Sequence, residues 1–411
     1  MKLSHAELGT DTDTAASEGR YHRQELITWW DQDRVRSARV LVIGAGALGN
    51  EILKILALTG VGEVLVYDMD IIEQSNLSRG VLFRDEDKGS AKATVAVERM
   101  RELNPDVSAH PRVENLNHKA GLGVFLWADV VICGLDNREA RIFANSACAA
   151  TGRIWVDGAI EGLAGIARVF NPAEGACYEC TMNETDRKLV AERRSCAMLA
   201  RAVLESGHVP TTAVAASLVA ALEVQEAIKI LHGQPAIVGE GMHINGLWGE
   251  VSRVKYPRRD ECSGHENLGP VTPLGLRSDA ITFEALLERA EKELGDGAVL
   301  ELSRDIIVSL ECATCGTREP RSEVLGELGE KDAACPKCSA HRIVEFASSV
   351  SRDGVVELSR TPQQAGLPLF DIIVARQGLD DQRAWLFDGD APSVLGPLTV
   401  PAEMGGVLER S

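Results

Sequence analysis

From Arg39 to about Phe170 the chain alternates short β-rich apolar runs with helical stretches, and that alternation leaves little choice of architecture. Residues 40–43, 64–67, 107–113, 130–133 and 154–156 read as strands, and 48–58, 90–103, 118–127 and 139–150 as helices. Repeated β-α-β units place the strands parallel in a doubly wound sheet, with a ligand at their carboxyl ends. The expected fold class is therefore α/β: a Rossmann-like domain with a mostly parallel sheet. A smaller C-terminal α+β domain carrying a zinc ribbon should follow it.

The first strand runs into RVLVIGAGALG at 39–49, a GxGxxG turn in which Gly44 and Gly46 are the first two glycines. Such a turn serves dehydrogenases and adenylating enzymes alike. Asp68 closes the second strand, and an acidic side chain there accepts ribose hydroxyls of NAD or ATP equally well. The next stretch separates the two. It sets Asp70, Asn76, Arg79 and Lys92 just beyond the strand end. Hydride transfer has no use for two cations and an amide there. A triphosphate attacked at its α-phosphorus has, because fixed donors stabilise the charge that builds on the phosphate oxygens. Asp136, after the 130–133 strand, offers the hard oxygen that Mg²⁺ prefers. Arg23, in the upstream RYHRQ, adds another guanidinium.

RYHRQ at 20–24, GAGALG at 44–49, D-x-D at 68–70, S-N-L-x-R at 75–79, G-x-x-K at 89–92 and L-D-N at 135–137 come in a fixed order. In that order and spacing the chain resembles the ubiquitin-activating-enzyme-like family over about residues 20–265. That family includes adenylating enzymes of ubiquitin-like proteins and of the sulfur carriers in molybdopterin and thiamine synthesis. The resemblance implies that Gly44 and Gly46 let the backbone approach ATP and that Asp68 holds the ribose. Asp70, Asn76, Arg79 and Lys92 would line the phosphates, and Asp136 would hold Mg²⁺. The arginine matching Arg23 would reach the nucleotide from the other half of a dimer; with one adenylation half per chain, a homodimer is implied.

Of ten cysteines, seven fall with one histidine into paired knuckles. Cys312/Cys315 and Cys335/Cys338 have the spacing of a zinc ribbon, within 312–338. Cys177-x-x-Cys180 matches the first half of the family's structural zinc site, and Cys262-x-x-His265 would supply the second half with one imidazole. Two Zn²⁺ sites are thus expected. Cys133 and Cys148 read as core. Cys196 lies in the crossing segment 177–210, beside Arg193 and Arg194, which favour a thiolate. In the resemblance this is where thioester-forming members carry their nucleophile.

The remaining segments read as a polar tail at 1–19, a linker at 264–278 and a separate C-terminal module at 279–411, suited to partner binding. A formal charge of −18 argues against a general nucleic-acid binder. With no apolar leader, and a longest apolar run at 213–222 too short to cross a bilayer, a soluble cytoplasmic protein is expected, with no membrane partner. The function expected is adenylation of the C-terminal glycine of a small ubiquitin-like protein with ATP and Mg²⁺. A thioester at Cys196 would follow, for transfer to a conjugating-type enzyme. The alternatives are a sulfur-carrier adenylyltransferase without thioester transfer, and a non-catalytic adaptor.

Overall fold

The computed structural model describes residues 19–185, 210–378 and 381–401. Two sheets organise them. The first has eight strands: β1 Arg39–Ile43, β2 Glu63–Tyr67, β3 Ser108–Arg112, β4 Val130–Cys133, β5 Trp155–Glu161, β6 Ala164–Phe170, β7 Glu240–Asn245 and β8 Glu250–Lys255. Their order is β3-β2-β1-β4-β5-β6-β7-β8. The first five are parallel, as the alternation requires, and β6 to β8 add an antiparallel half that the sequence reading did not assign. The chain builds outward from β1 to β2 and β3, then returns to place β4 on β1's other side. The β1/β4 boundary is therefore the topological switch point, where such sheets open a crevice for ligands.

Helix boundaries follow local chemistry. Helix Ala47–Thr59 stops at Gly60, which adopts φ 77°. Helix Lys92–Leu103 ends where Asn104 turns extended ahead of Pro105. The Asn137 side chain caps helix Arg138–Thr151 by accepting from the Ala140 N–H at 2.8 Å, and Thr212 caps Ala213–Leu231 likewise.

Alternate strand residues feed two cores. Val40, Val42, Val64, Val66, Val130 and Ile132 pack under helices Ala47–Thr59, Lys92–Leu103 and Ala213–Leu231. Leu41, Ile43, Leu65, Tyr67, Val131 and Cys133 face the other way. There the helix expected at 118–127 is two short pieces, Leu116–Lys119 and Gly123–Trp127. The break has a tertiary cause. Gly121 and Gly123 lie so close to Phe370 that a side chain at either would collide with the Phe370 backbone. The freed groups are bonded across the gap: Gly123 N–H donates to the Phe370 carbonyl at 2.9 Å, and Leu122 N–H to Asp371 Oδ1 at 2.8 Å.

Phe370 belongs to the second unit, which covers this face. Its six strands are β9 Val271–Pro273, β10 Val299–Glu311, β11 Arg318–Pro320, β12 Ile343–Val350, β13 Ile372–Gln377 and β14 Asp381–Leu386, with helix Phe283–Leu294 on the far side. Strand β9 falls in the stretch read as a linker and pairs in parallel with β14, so that stretch is part of the sheet. Nor is the unit set apart: Phe370, Ile372, Val374, Leu386, Val394 and Leu395 share one core with Leu41, Leu65, Phe125 and Trp127. Arg304 is driven into the seam. It donates to the Asn117 carbonyl at 2.7 Å and to the Ala120 carbonyl, and lies 4.7 Å from the Phe143 ring centre and 3.7 Å from Asp371. Among the described residues no helix is long and apolar enough to cross a membrane.

Candidate nucleotide site and cysteine clusters

The carboxyl ends of β2, β1 and β4 lie side by side and present the turns that carry the expected site. Gly44 N–H donates to the Tyr67 carbonyl at 2.8 Å, and Gly134 N–H to the Ile43 carbonyl at 2.9 Å, which ties the three ends together. Gly44 sits at φ +94°, where a Cβ would lie 2.6 Å from the Gly134 oxygen. Gly46 differs: a Cβ there would meet nothing within 4 Å, so its backbone faces open space at the N-terminus of helix Ala47–Thr59. Such a helix end favours an anion. Asn50 fixes this loop from below. Its amide donates to the Ala45 and Gly46 carbonyls at 2.7 and 3.1 Å, and its oxygen accepts from Leu82 N–H at 2.9 Å. Sequence reasoning missed Asn50; the signal was an amide in the first turn of the helix that follows the glycine loop.

Asp68 stands at the end of β2 and accepts two backbone N–H groups, Ala45 at 2.6 Å and Asp70 at 2.8 Å. Burial nonetheless raises its carboxyl above the usual range. Each carboxylate oxygen keeps a second lone pair for a hydroxyl donor. Beyond it, residues 70–72 run back against 89–92: Ile72 N–H to Ser90 O at 2.8 Å, Gly89 N–H to Ile72 O at 2.9 Å, Lys92 N–H to Asp70 O at 2.9 Å. This folding brings the Lys92 ammonium to Asp70 Oδ2 at 2.8 Å, with the lysine side chain 12% exposed. Asn76 uses its oxygen to cap its own turn, accepting from Glu73 N–H at 2.9 Å, and Arg79 donates to the Ser75 carbonyl at 2.7 Å. Asp136 is exposed just past β4, with Asn137 Nδ2 3.3 Å from its Oδ1. Gly44, Gly46, Asp68, Asp70, Lys92 and Asp136 thus belong to one edge of the sheet.

Arg23 does not join them. Tyr21 is buried against Gly60 and bonded to Asp106 and Asn104 at 3.0 and 2.7 Å, while Gln24 donates to the Thr59 carbonyl at 3.1 Å. These contacts fasten RYHRQ to the carboxyl end of helix Ala47–Thr59. Thirteen residues at 1.5 Å each put it about 20 Å from the glycine loop of its own chain. Cys196 lies outside the described residues.

Two sets of four side chains are gathered as expected. Cys177, Cys180, Cys262 and His265 form one, and Cys312, Cys315, Cys335 and Cys338 the other; in each, the ligand atoms all lie within 4.8 Å of one another. The sulfurs of Cys177 are 3.8 Å from Cys180 and 3.6 Å from Cys262, with Cys180 Sγ 3.2 Å from His265 Nε2. In the second set Cys312–Cys338 is 3.5 Å and Cys315–Cys335 is 3.6 Å. Disulfide sulfurs stand about 2.05 Å apart. Tetrahedral ligands on 2.3 Å Zn–S bonds stand roughly 3.8 Å apart, so both sets fit a four-coordinate metal. Burial, then the Arg258 and Arg259 charges, lower the pKa of His265 and favour the neutral imidazole that binds metals. The Thr317 hydroxyl and N–H draw Cys315 down to about 6, so it is a ready thiolate.

A model described as the ThiF family matches residues 21–264. Among curated relatives, the SAMP-activating enzyme E1 of Haloferax volcanii is 42% identical over 157 residues, which is 37% of this chain and 56% of that protein. The sulfur carrier protein adenylyltransferase of Thermus thermophilus is 38% identical over 169 residues, 39% of this chain and 62% of that protein. The chain thus spans little more than half the length of these two. A longer and weaker likeness, 27% over 409 residues, covers 95% of this chain and 84% of the pig adenylyltransferase and sulfurtransferase MOCS3. Among solved structures, E. coli MccB with ATP has a TM-score of 0.50 at 23% identity, over 61% of this chain and 75% of that one, a likeness of fold.

Proposed function

Because the chain belongs to the ThiF family, we propose that it is an ATP-dependent adenylyltransferase acting on the C-terminal carboxylate of a small ubiquitin-like or sulfur-carrier protein. The observation that carries this reading is the shared sheet edge: the Gly44–Gly46 turn, Asp68, the Lys92–Asp70 pair and Asp136 all stand around the β1/β4 switch point. Asp68 takes the ribose. Lys92, Arg79 and Asn76 face the triphosphate, and Asp70 keeps the Lys92 ammonium directed until phosphate oxygens compete for it. Asp136 holds Mg²⁺, which when bound offsets phosphate charge. The carrier's terminal carboxylate attacks the α-phosphorus, the bond to the β-phosphate oxygen breaks, and pyrophosphate leaves behind an acyl-adenylate. The fixed cations stabilise the charge developing on the phosphate oxygens.

Arg23 serves a second copy of the chain. Its place at the far end of helix Ala47–Thr59 supports a site shared across a homodimer, since it lies about 20 Å from its own glycine loop. Zn²⁺ at the two clusters fixes the ends of the 177–262 segment and the ribbon of the second unit.

The Cys196 thiolate then attacks the acyl carbon of the adenylate, the bond to the phosphate oxygen breaks and AMP leaves, giving a thioester for a conjugating-type enzyme; the Haloferax volcanii relative, named an activating enzyme, supports this branch. A second reading, sulfur-carrier activation without a thioester, is supported by the name of the Thermus thermophilus relative. Cysteines 312, 315, 335 and 338, the four in the second unit, are gathered in the ribbon cluster, so that unit has no spare thiol for a persulfide. The test is ATP–pyrophosphate exchange dependent on a candidate carrier ending in glycine; absence of exchange with all such carriers refutes adenylation. With exchange present, Cys196→Ala should keep it and abolish a thiol-sensitive adduct. No adduct in the parent chain favours the sulfur-carrier branch.

A further inference from the structure

Behind the turn that carries Asp136 lies a buried ionic group outside the chemistry above: Arg141, Asp157, Arg168 and Glu223. Asp157 is 0% exposed, and both its oxygens are taken. Arg141 Nε donates to Oδ1 at 2.8 Å, and Arg168 Nη2 to Oδ2. The rest of the Arg141 guanidinium donates to the Gly158 carbonyl at 3.0 Å and to the Leu135 carbonyl, the peptide oxygen adjoining Asp136. Arg168 lies 5.2 Å from the ring centre of Tyr178, which stands between Cys177 and Cys180. A second route runs parallel. Helix Arg138–Thr151 begins beside Asp136, and its Asn145 accepts from the Tyr178 N–H at 2.9 Å and donates to the Gly264 carbonyl at 3.3 Å, between Cys262 and His265.

Stability is a poor reason for such a group. Each buried ion costs several kcal/mol in lost hydration, and apolar replacements of buried ion pairs are often as stable. What it delivers is a fixed geometry. We propose that Arg141 and Asp157 are positioning residues: they set the Leu135 carbonyl, and with it the orientation of Asp136, against the Cys177/Cys180/Cys262/His265 cluster as the fixed point. This rests on the reading of Asp136 as a Mg²⁺ ligand. Loss of an outer-shell partner of a metal ligand typically weakens metal binding 10–100-fold.

The experiment measures ATP binding to the full chain by calorimetry across a Mg²⁺ series, which needs no carrier. Arg141→Gln and Asp157→Asn should raise the Mg²⁺ concentration for half-saturation about 10–100-fold, approaching Asp136→Asn. Affinity for ATP without Mg²⁺ should stay within about twofold, a separation that general damage to the fold would not produce. Glu223→Gln is the matched control. It lies in the same group, has no hydrogen-bond partner among the described residues, and burial raises its pKa well above the ordinary value, while the amide is close to isosteric with the carboxyl. It should follow the parent. No Mg²⁺ shift in the Arg141 and Asp157 variants, or an equal loss with and without Mg²⁺, overturns the proposal. Should those two fail to fold, Arg141→Lys keeps the charge beside Asp157 but cannot span the three acceptors; parental Mg²⁺ dependence there overturns it equally. A parent chain that binds no ATP at any Mg²⁺ concentration sinks the adenylation reading, and this inference with it.

Discussion

Phe370→Ala tests whether the two sheets form one cooperative body. Phe370 is fully buried and packs where Gly121 and Gly123 admit it into the core shared by both units. Truncating a buried phenylalanine typically costs about 3–5 kcal/mol, from lost transfer energy and the cavity left behind. The shift this produces depends on how many residues melt together. At about 2.1 cal/mol/K per residue, a body of roughly 360 residues has an unfolding entropy near 0.75 kcal/mol/K, so a loss of about 4 kcal/mol lowers the midpoint by about 5 °C. If the second unit, roughly 130 residues, melted alone, the same loss would lower its midpoint by about 15 °C. Calorimetric melts at one fixed chain concentration separate the cases. One transition displaced by about 5 °C is expected. Two transitions, with only the lower displaced by about 15 °C, would refute a shared core, and an unmoved midpoint would refute the packing of Phe370 itself.

Asp136→Asn should reduce carrier-dependent ATP–pyrophosphate exchange by about 10²–10³-fold with the melt unchanged, the scale of one lost electrostatic stabiliser. Arg23→Ala and Lys92→Ala chains, each inactive alone, should regain part of the exchange when mixed; no recovery argues that Arg23 does not act across subunits. Elemental analysis should find about two zinc ions per chain, one for each four-ligand set. Glu223 carries a pH signature. Burial holds its folded-state pKa well above the ordinary 4.5, so the native state keeps a proton that the unfolded chain releases. Its contribution is full below about pH 4.5 and falls as pH rises toward the folded-state value. Glu223→Gln should therefore match the parent melt at the acid end and exceed it increasingly as pH rises; a constant difference would contradict the burial.

The parallel half of the sheet was legible because its signals are local. Apolar runs of four or five residues mark β1, β2 and β4, and Gly60 and the Asn104-Pro105 pair mark the ends of their helices by residue type. The two four-residue clusters were legible from spacing, since two residues between the members of each pair already set the knuckle. The break inside 118–127 was not, because its cause, Phe370, stands some 250 positions away. Strands β7 and β8 mix His243, Asn245, Ser252 and Arg253 with their apolar residues, and β8 is exposed along its length, so neither shows the buried run that betrayed the others. Arg141 lies within the helix expected at 139–150, where nothing local marks it out. Its role emerges only when β5 brings Asp157 beside it.

The Cys177/Cys180/Cys262/His265 cluster draws its ligands from both sides of the 186–209 segment. Peptide continuity there is therefore not what joins the two flanks. If a protease cut the chain between 186 and 209, two thiols would stay on one fragment, and a thiol and an imidazole on the other. The fragments would also remain interleaved through β6 and β7. A metal across that cut would act as a clasp, and the product would run as two pieces on a denaturing gel while sedimenting as one molecule. A cut within 186–209 would thus leave the described framework on either side of it held together.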